Sequence, residues 1–201
     1  MSGGAGTPAR PAGPRGAVEA IELTPAQEAF ARRVAEAKAT IPHVYFSQPL
    51  ERPAPLPALV RACAAALREH PRLNAAYRDG RLEAYERVNV AVAIEAGGTL
   101  AFPVLRDADA KDRDAIEREL AALAERAAEG ALTSPELAGA TFTIVDMSAH
   151  AASFAPTVAR GQAAALGAGS ASLTLACDHR AVQTSEGARF LGRVAGLAAA
   201  G

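Results

Sequence analysis

Apolar positions recur three and four apart in four stretches of the chain, and shorter stretches between them alternate or run apolar. Phe30, Val34 and Ala37 share one face of a predicted helix that reaches Lys38. Thr24, Pro25 and Gln27 stand ahead of it as N-cap, first-turn proline and capping-box partner. In "PLPALVRACAAALREHP", Leu59, Cys63, Ala66 and Leu67 share a face until Pro71 ends the pattern. "KDRDAIERELAALAERAAEG" turns Ile116, Leu120, Leu123 and Ala127 inward, with Gly130 at the C-terminal cap. Residues 185–198 make a closing helix.

Strands are predicted at 41–46, stopped by Pro49, and at 81–85, 88–95, 99–105, 140–145 and 172–177. Gly97-Gly98 makes a tight turn between the third and fourth of these. Strands interleave with helices, yet hairpins also occur, so the sheet should be mixed. The fold class expected is α+β, a two-layer sandwich whose mixed sheet is covered by helices.

Composition narrows this picture. At 201 residues the chain fits one domain; half the residues are hydrophobic while aromatics are 4% and Trp is absent, so Ala, Leu and Val fill the core. The opening "MSGGAGTPARPAGPRGA" lacks a hydrophobic segment for export and cannot bury enough surface to order itself. Residues 1–17 are therefore expected to be a disordered tail and 18–201 the folded domain. A net charge of −1 gives no basic field for nucleic acid or an anionic membrane, and no apolar stretch is long enough to span a bilayer. Cys63 and Cys177 fall inside apolar periodic segments. They read as small core residues of a reducing, cytoplasmic protein.

Chemistry has few candidates. His70 sits at a helix C-terminus, where a cation complements the helix dipole. His43 reads as a satisfied strand histidine and His150 as an exposed loop residue. His179 differs, because "SLTLACDHRAVQTSEGARFL" delivers Asp178, His179 and Arg180 at a strand-to-helix junction, where one ring nitrogen can be fixed by backbone while the other faces a cleft. No dinucleotide fingerprint, nucleophile elbow or zinc spacing is present, so no metal is expected.

Several segments taken in order resemble one family. "VEAIELTPAQEAFARRVAEAKATIPHVYF", "ALREHPRLNAAY", "VNVAVAIEAGGTLAFPVLRDADAKD", "LAERAAEGALTSPELAGATFTI" and "LACDHRAVQTSEGARFL" are similar to the catalytic domain of dihydrolipoamide acyltransferases, the core component of 2-oxoacid dehydrogenase complexes. The resemblance implies a chloramphenicol acetyltransferase-like fold and a homotrimer with its active site between subunits. It also implies acyl transfer between coenzyme A and a lipoyl group, with the histidine of the Asp-His-Arg motif, here His179, as general base. Asp178 and Arg180 would support it by anchoring the loop. Coenzyme A thioester, or a carrier-protein thioester, would be substrate, with no cofactor covalently bound. With no lipoyl segment before the tail, a lipoyl domain would act in trans.

Departures from the family pattern are specific. Four residues after the histidine the family has Asp or Asn followed by Gly, whereas this chain has Gln183 and Thr184. Where the family offers a Ser or Thr hydroxyl to the oxyanion, this chain has Val145; Asp146 is adjacent and Ser148 is the nearest replacement donor. The family's Asn-Pro-Pro loop is replaced by "VARGQAAALG", and the hairpin before the last strand is reduced to "GAGSAS". Two functions are thus expected: an acyltransferase moving an acyl group between a coenzyme A or carrier thioester and a thiol or hydroxyl acceptor with His179 as base, or a catalytically impaired trimeric relative acting as a scaffold or ligand-binding protein.

Overall fold

The structure, a computed structural model, describes residues 16, 18–96 and 98–200. Apart from Gly16, the expected tail of residues 1–17 lies outside these residues, as does Gly97. The capping box is formed: Thr24 Oγ1 accepts the Gln27 N–H at 3.3 Å and Gln27 Oε1 accepts the Thr24 N–H at 2.9 Å. It opens α1, Pro25–Thr40. β1, His43–Pro49, runs past the predicted end to include the proline. An edge strand tolerates that missing N–H. α2, Leu56–Glu69, buries Leu59, Cys63, Ala66 and Leu67 as its period required.

β2, Ala75–Arg78, and β3, Arg81–Ala84, form a hairpin that the pattern predicts only in its second half. Its turn is Asp79-Gly80, both with positive φ (47° and 82°), the backbone that an Asp-Gly hairpin turn requires. The expected strand 88–95 divides into β4, Val90–Val92, and β5, Ile94–Ala96. At the break the Ala93 N–H donates to the Ile144 carbonyl. The expected strand 99–105 divides at Pro103 into β6, Thr99–Ala101, and β7, Val104–Leu105. α3, Arg113–Ala128, is capped by Asp112 and buries Ile116, Leu120, Leu123 and Ala127. β8, Phe142–Asp146, β9, Ala164–Ala168, β10, Ser172–Asp178, and α4, Thr184–Ala200, complete the fold.

The main sheet has the order β1-β10-β9-β8-β4-β7. Pairings β1/β10, β10/β9 and β4/β7 are antiparallel, while β9/β8 and β8/β4 are parallel. The sheet is mixed, as expected. β9 is not among the predicted strands, because Ala-Ala-Leu-Gly-Ala neither alternates nor carries β-branched residues. It is wholly buried between two strands, and tertiary packing overrides its weak propensity.

α2 packs against α3 and α4 over one face of the sheet, around Leu59, Phe142, Ile144, Leu166, Leu175 and Phe190. A smaller cluster of Ala37, Ile41, Val158 and Ala176 joins the end of α1 to the other face. Two glycines allow close approaches that position the site's strands. A Cβ on Gly187 would stand 2.5 Å from the Phe46 ring, and one on Gly167 would stand 2.2 Å from the Phe154 carbonyl oxygen. The first lets α4 lie on β1; the second lets residues 151–158 cross β9. Among the described residues, no helix is long and apolar enough to cross a membrane, and no group of three or more His, Cys, Asp or Glu is placed to hold a metal ion.

Candidate active site at the end of β10

β10 lies between β1 and β9, so its last residues are registered from both sides. His43 is opposite Asp178, and the Asp178 N–H donates to the Ala163 carbonyl. The chain then turns sharply. The N–H groups of Ala181 and Val182 both donate to the Asp178 carbonyl, at 2.9 and 3.0 Å, and the His179 N–H donates to the Pro42 carbonyl. His179 leaves this turn with its ring exposed.

The imidazole has one backbone partner. His179 Nδ1 lies 3.3 Å from the Val182 carbonyl oxygen. A carbonyl only accepts, so this contact places a proton on Nδ1, and in the neutral ring Nε2 is then the nitrogen free to accept one. That is the tautomer a general base needs. The turn is held by a charge pair: Arg180 Nε and Nη2 donate to Asp178 Oδ1 and Oδ2 at 2.9 and 2.7 Å, and the Arg180 backbone N–H donates to Oδ1 at 3.0 Å. Asp178 is 2% exposed, and three charge-assisted bonds offset its desolvation. The same bonds raise the Arg180 pKa. Asp178 and Arg180 thus tie the two ends of this turn together. Gln183 lies outside the turn, its carbonyl accepting the N–H groups of Glu186 and Gly187 at the start of α4.

His43 is consumed by its own surroundings. Nδ1–H donates to the Ile41 carbonyl at 2.8 Å and Nε2 accepts the Val158 N–H at 3.0 Å. Burial lowers its pKa, and Lys38 adds to the effect; the Ile41 bond and Asp178 oppose it. It is a structural histidine, as its strand position indicated. His70 stands edge-on to Phe190, 5.8 Å between centroids, so it packs as well as capping α2. His150 is exposed. Burial pushes the Cys63 thiol above its usual range and Cys177 up to about 12, and neither thiol is a nucleophile.

Val145 and Ser148 do not join this group within one chain. Val145 is opposite Gly167 and Cys177 is opposite Ala164. Val145 therefore lies roughly 16 Å from His179 along the strands and roughly 10 Å across two strand spacings. Val145 is 8% exposed. Asp146 Oδ1 accepts the Ser148 N–H at 2.9 Å, closing the loop back on itself. Clefts of about 280 Å³, beside α3 and Pro135, and about 270 Å³, between α1 and the β5–β6 hairpin, both lie away from His179.

The family model described as 2-oxoacid dehydrogenases acyltransferase (catalytic domain) matches residues 47–199. The chain belongs to this family. The dihydrolipoyllysine-residue acetyltransferase component 3 of the mitochondrial pyruvate dehydrogenase complex of Arabidopsis thaliana is 32% identical over 154 residues, covering 66% of this chain. The match takes in only 29% of that relative's length. Among solved structures, the dihydrolipoamide acetyltransferase of Azotobacter vinelandii is similar with a TM-score of 0.84 at 23% identity, covering 96% of both chains. Roles of a serine, a histidine and an asparagine in that enzyme's catalytic mechanism have been investigated, the last two being four residues apart. A chloramphenicol acetyltransferase is similar with a TM-score of 0.53 at 13% identity, covering 83% of this chain and 93% of its own. The family's fold is the chloramphenicol acetyltransferase-like one expected from the sequence.

Proposed function

We propose that this acyltransferase domain moves an acyl group between coenzyme A and a thiol acceptor of the dihydrolipoyl type, with His179 as general base. The observation that carries the reading is the Nδ1–H tautomer fixed by the Val182 carbonyl. His179 Nε2 takes the thiol proton, and the thiolate attacks the thioester carbonyl carbon. The tetrahedral oxyanion collapses, the C–S bond of the original thioester breaks, and the imidazolium gives its proton to that departing sulfur. His179 and Gln183 keep the four-residue spacing of the histidine and asparagine studied in the Azotobacter enzyme.

The separation of Val145 from His179 supports a site built between two copies, with His179 from one and the 145–148 end of β8 from another, as in a homotrimer. A lipoyl domain supplied in trans would bring the acceptor. Val145 offers no side-chain donor to the oxyanion, and loss of one such donor lowers turnover about 10²–10³-fold. The enzyme is therefore expected to be slow but not inactive. Acetyl transfer from acetyl-coenzyme A to dihydrolipoamide, compared between this protein and His179→Ala, tests the reading. Turnover that falls at least about 10²-fold in the variant supports it; equal turnover removes it.

A further inference from the structure

The turn that carries His179 is braced by two side chains from one short stretch, the segment that follows α2. Arg72 Nε and Nη2 both donate to the Ala181 carbonyl, at 3.1 and 2.9 Å. The same guanidinium lies 3.4 Å from Glu186, in the first turn of α4. Tyr77, on β2, presents its ring to Arg180, whose Cζ stands 4.4 Å from the ring centroid. Arg180 in turn grips Asp178. Both ends of the turn are therefore held from residues 72–77.

The chemistry of the turn shows what this brace controls. The Ala181 carbonyl belongs to the peptide leading into Val182, and the Val182 carbonyl accepts the His179 Nδ1–H. Ala181 is 0% exposed, so without the Arg72 fork its carbonyl loses its side-chain donors where water has little access. That peptide would rotate to find a partner and carry the next carbonyl with it. A bond of 3.3 Å has little reach to spare before it is lost. At the other end, the Tyr77 ring face is a cation–π support that holds the guanidinium plane in the position from which it meets both Asp178 oxygens.

We propose that Arg72 and Tyr77 are positioning residues for the acyl transfer: acting through the Ala181 carbonyl and the Arg180–Asp178 pair, they hold the Val182 carbonyl where it fixes the Nδ1–H tautomer of His179. This rests on His179 being the base of the reaction. It assigns a role to a segment of the chain that neither helical nor strand periodicity marks out.

The test is ¹⁵N NMR of the imidazole of His179 in the full chain, assigned by difference with His179→Gln. It is applied to Arg72→Gln, Tyr77→Leu and Tyr77→Phe, with kcat and KM for acetyl transfer to dihydrolipoamide measured on the same proteins. The wild type shows a dominant Nδ1–H tautomer. Arg72→Gln and Tyr77→Leu show a mixture of tautomers and a kcat about tenfold lower, part of the 10²–10⁴-fold a general base supplies, with KM unchanged. Tyr77→Phe keeps the ring face and restores what Tyr77→Leu loses. If Arg72→Gln does not fold, Arg72→Lys, which offers a single ammonium in place of the fork, gives an intermediate mixture. Folded Arg72 and Tyr77→Leu variants that keep the wild-type tautomer overturn the proposal. Absence of turnover in the wild type would remove the catalytic reading alone, because the tautomer measurement still decides whether the brace orients His179.

Discussion

Arg180 folds back onto Asp178, two residues before it, so that Nε and Nη2 meet the two carboxylate oxygens at 2.9 and 2.7 Å. The pair closes the turn between β10 and α4 with a buried anion at its centre. Removing one partner of a fully buried pair costs about 3–5 kcal/mol. The Arg180 side chain is 37% exposed, and water compensates part of that loss, so Asp178→Asn is expected to lower stability by about 2 kcal/mol. Urea denaturation measures it; an unchanged midpoint would show that the turn is held without the Asp178–Arg180 pair.

Val145 gives a prediction of opposite sign for activity. Under the proposed reading Val145 takes the place of an oxyanion-donating hydroxyl, and Val145→Ser supplies one. Turnover of acetyl-coenzyme A with dihydrolipoamide is expected to rise by about 10²-fold, the size of one oxyanion donor. A variant that folds and turns over no faster would place the oxyanion elsewhere.

His43 makes the fold acid-sensitive. Its folded pKa is below the ordinary 6.5, chiefly through burial. The unfolded chain therefore binds the proton first, and the stability His43 contributes is fully present above pH 6.5 and is lost as pH falls through the lowered folded value. Protonation of Nε2 would also turn an acceptor into a donor against the Val158 N–H. Unfolding free energies measured on either side of pH 6.5 should decline toward acid in the wild type. The decline should be smaller in His43→Gln. Parallel curves for the two proteins would contradict this.

Two glycines of α4 separate packing from propensity. A Cβ added at Gly192 would meet nothing within 4 Å, and Gly192→Ala is expected to stabilise by about 0.8–1 kcal/mol. Gly187→Ala gains the same propensity but puts its methyl 2.5 Å from the Phe46 ring. Overpacking costs about 1–3 kcal/mol, so the net change is destabilising. Phe46→Leu combined with Gly187→Ala should recover most of the loss. Thermal unfolding of the three proteins checks both signs.

Much of this architecture is legible in residue order, for reasons that can be named. α1 and α3 carry side-chain caps and α1, α2 and α3 carry apolar stripes, and Thr24 with Gln27 makes the bonds that its spacing required. β9 is not legible, since Ala164–Ala168 has no alternation to read and becomes a strand only because β8 and β10 enclose it. β2 has a signal in the Asp79-Gly80 turn that joins it to β3, but its own four residues carry little pattern, and Pro103 divides a strand predicted to be continuous. At the site, Asp178, His179 and Arg180 are adjacent in sequence and adjacent in space. Arg72 and Tyr77 reach them from far earlier in the chain, a relationship no local pattern encodes.

Chemical rescue tests the role of His179 most directly. His179→Ala removes the ring that Val182 orients, and free imidazole added to that variant can stand in for the missing base. Acetyl transfer to dihydrolipoamide is expected to fall by at least about 10²-fold in His179→Ala and to rise again in proportion to the unprotonated imidazole supplied. A folded His179→Ala protein that turns over as fast as the wild type would contradict the assignment of the base.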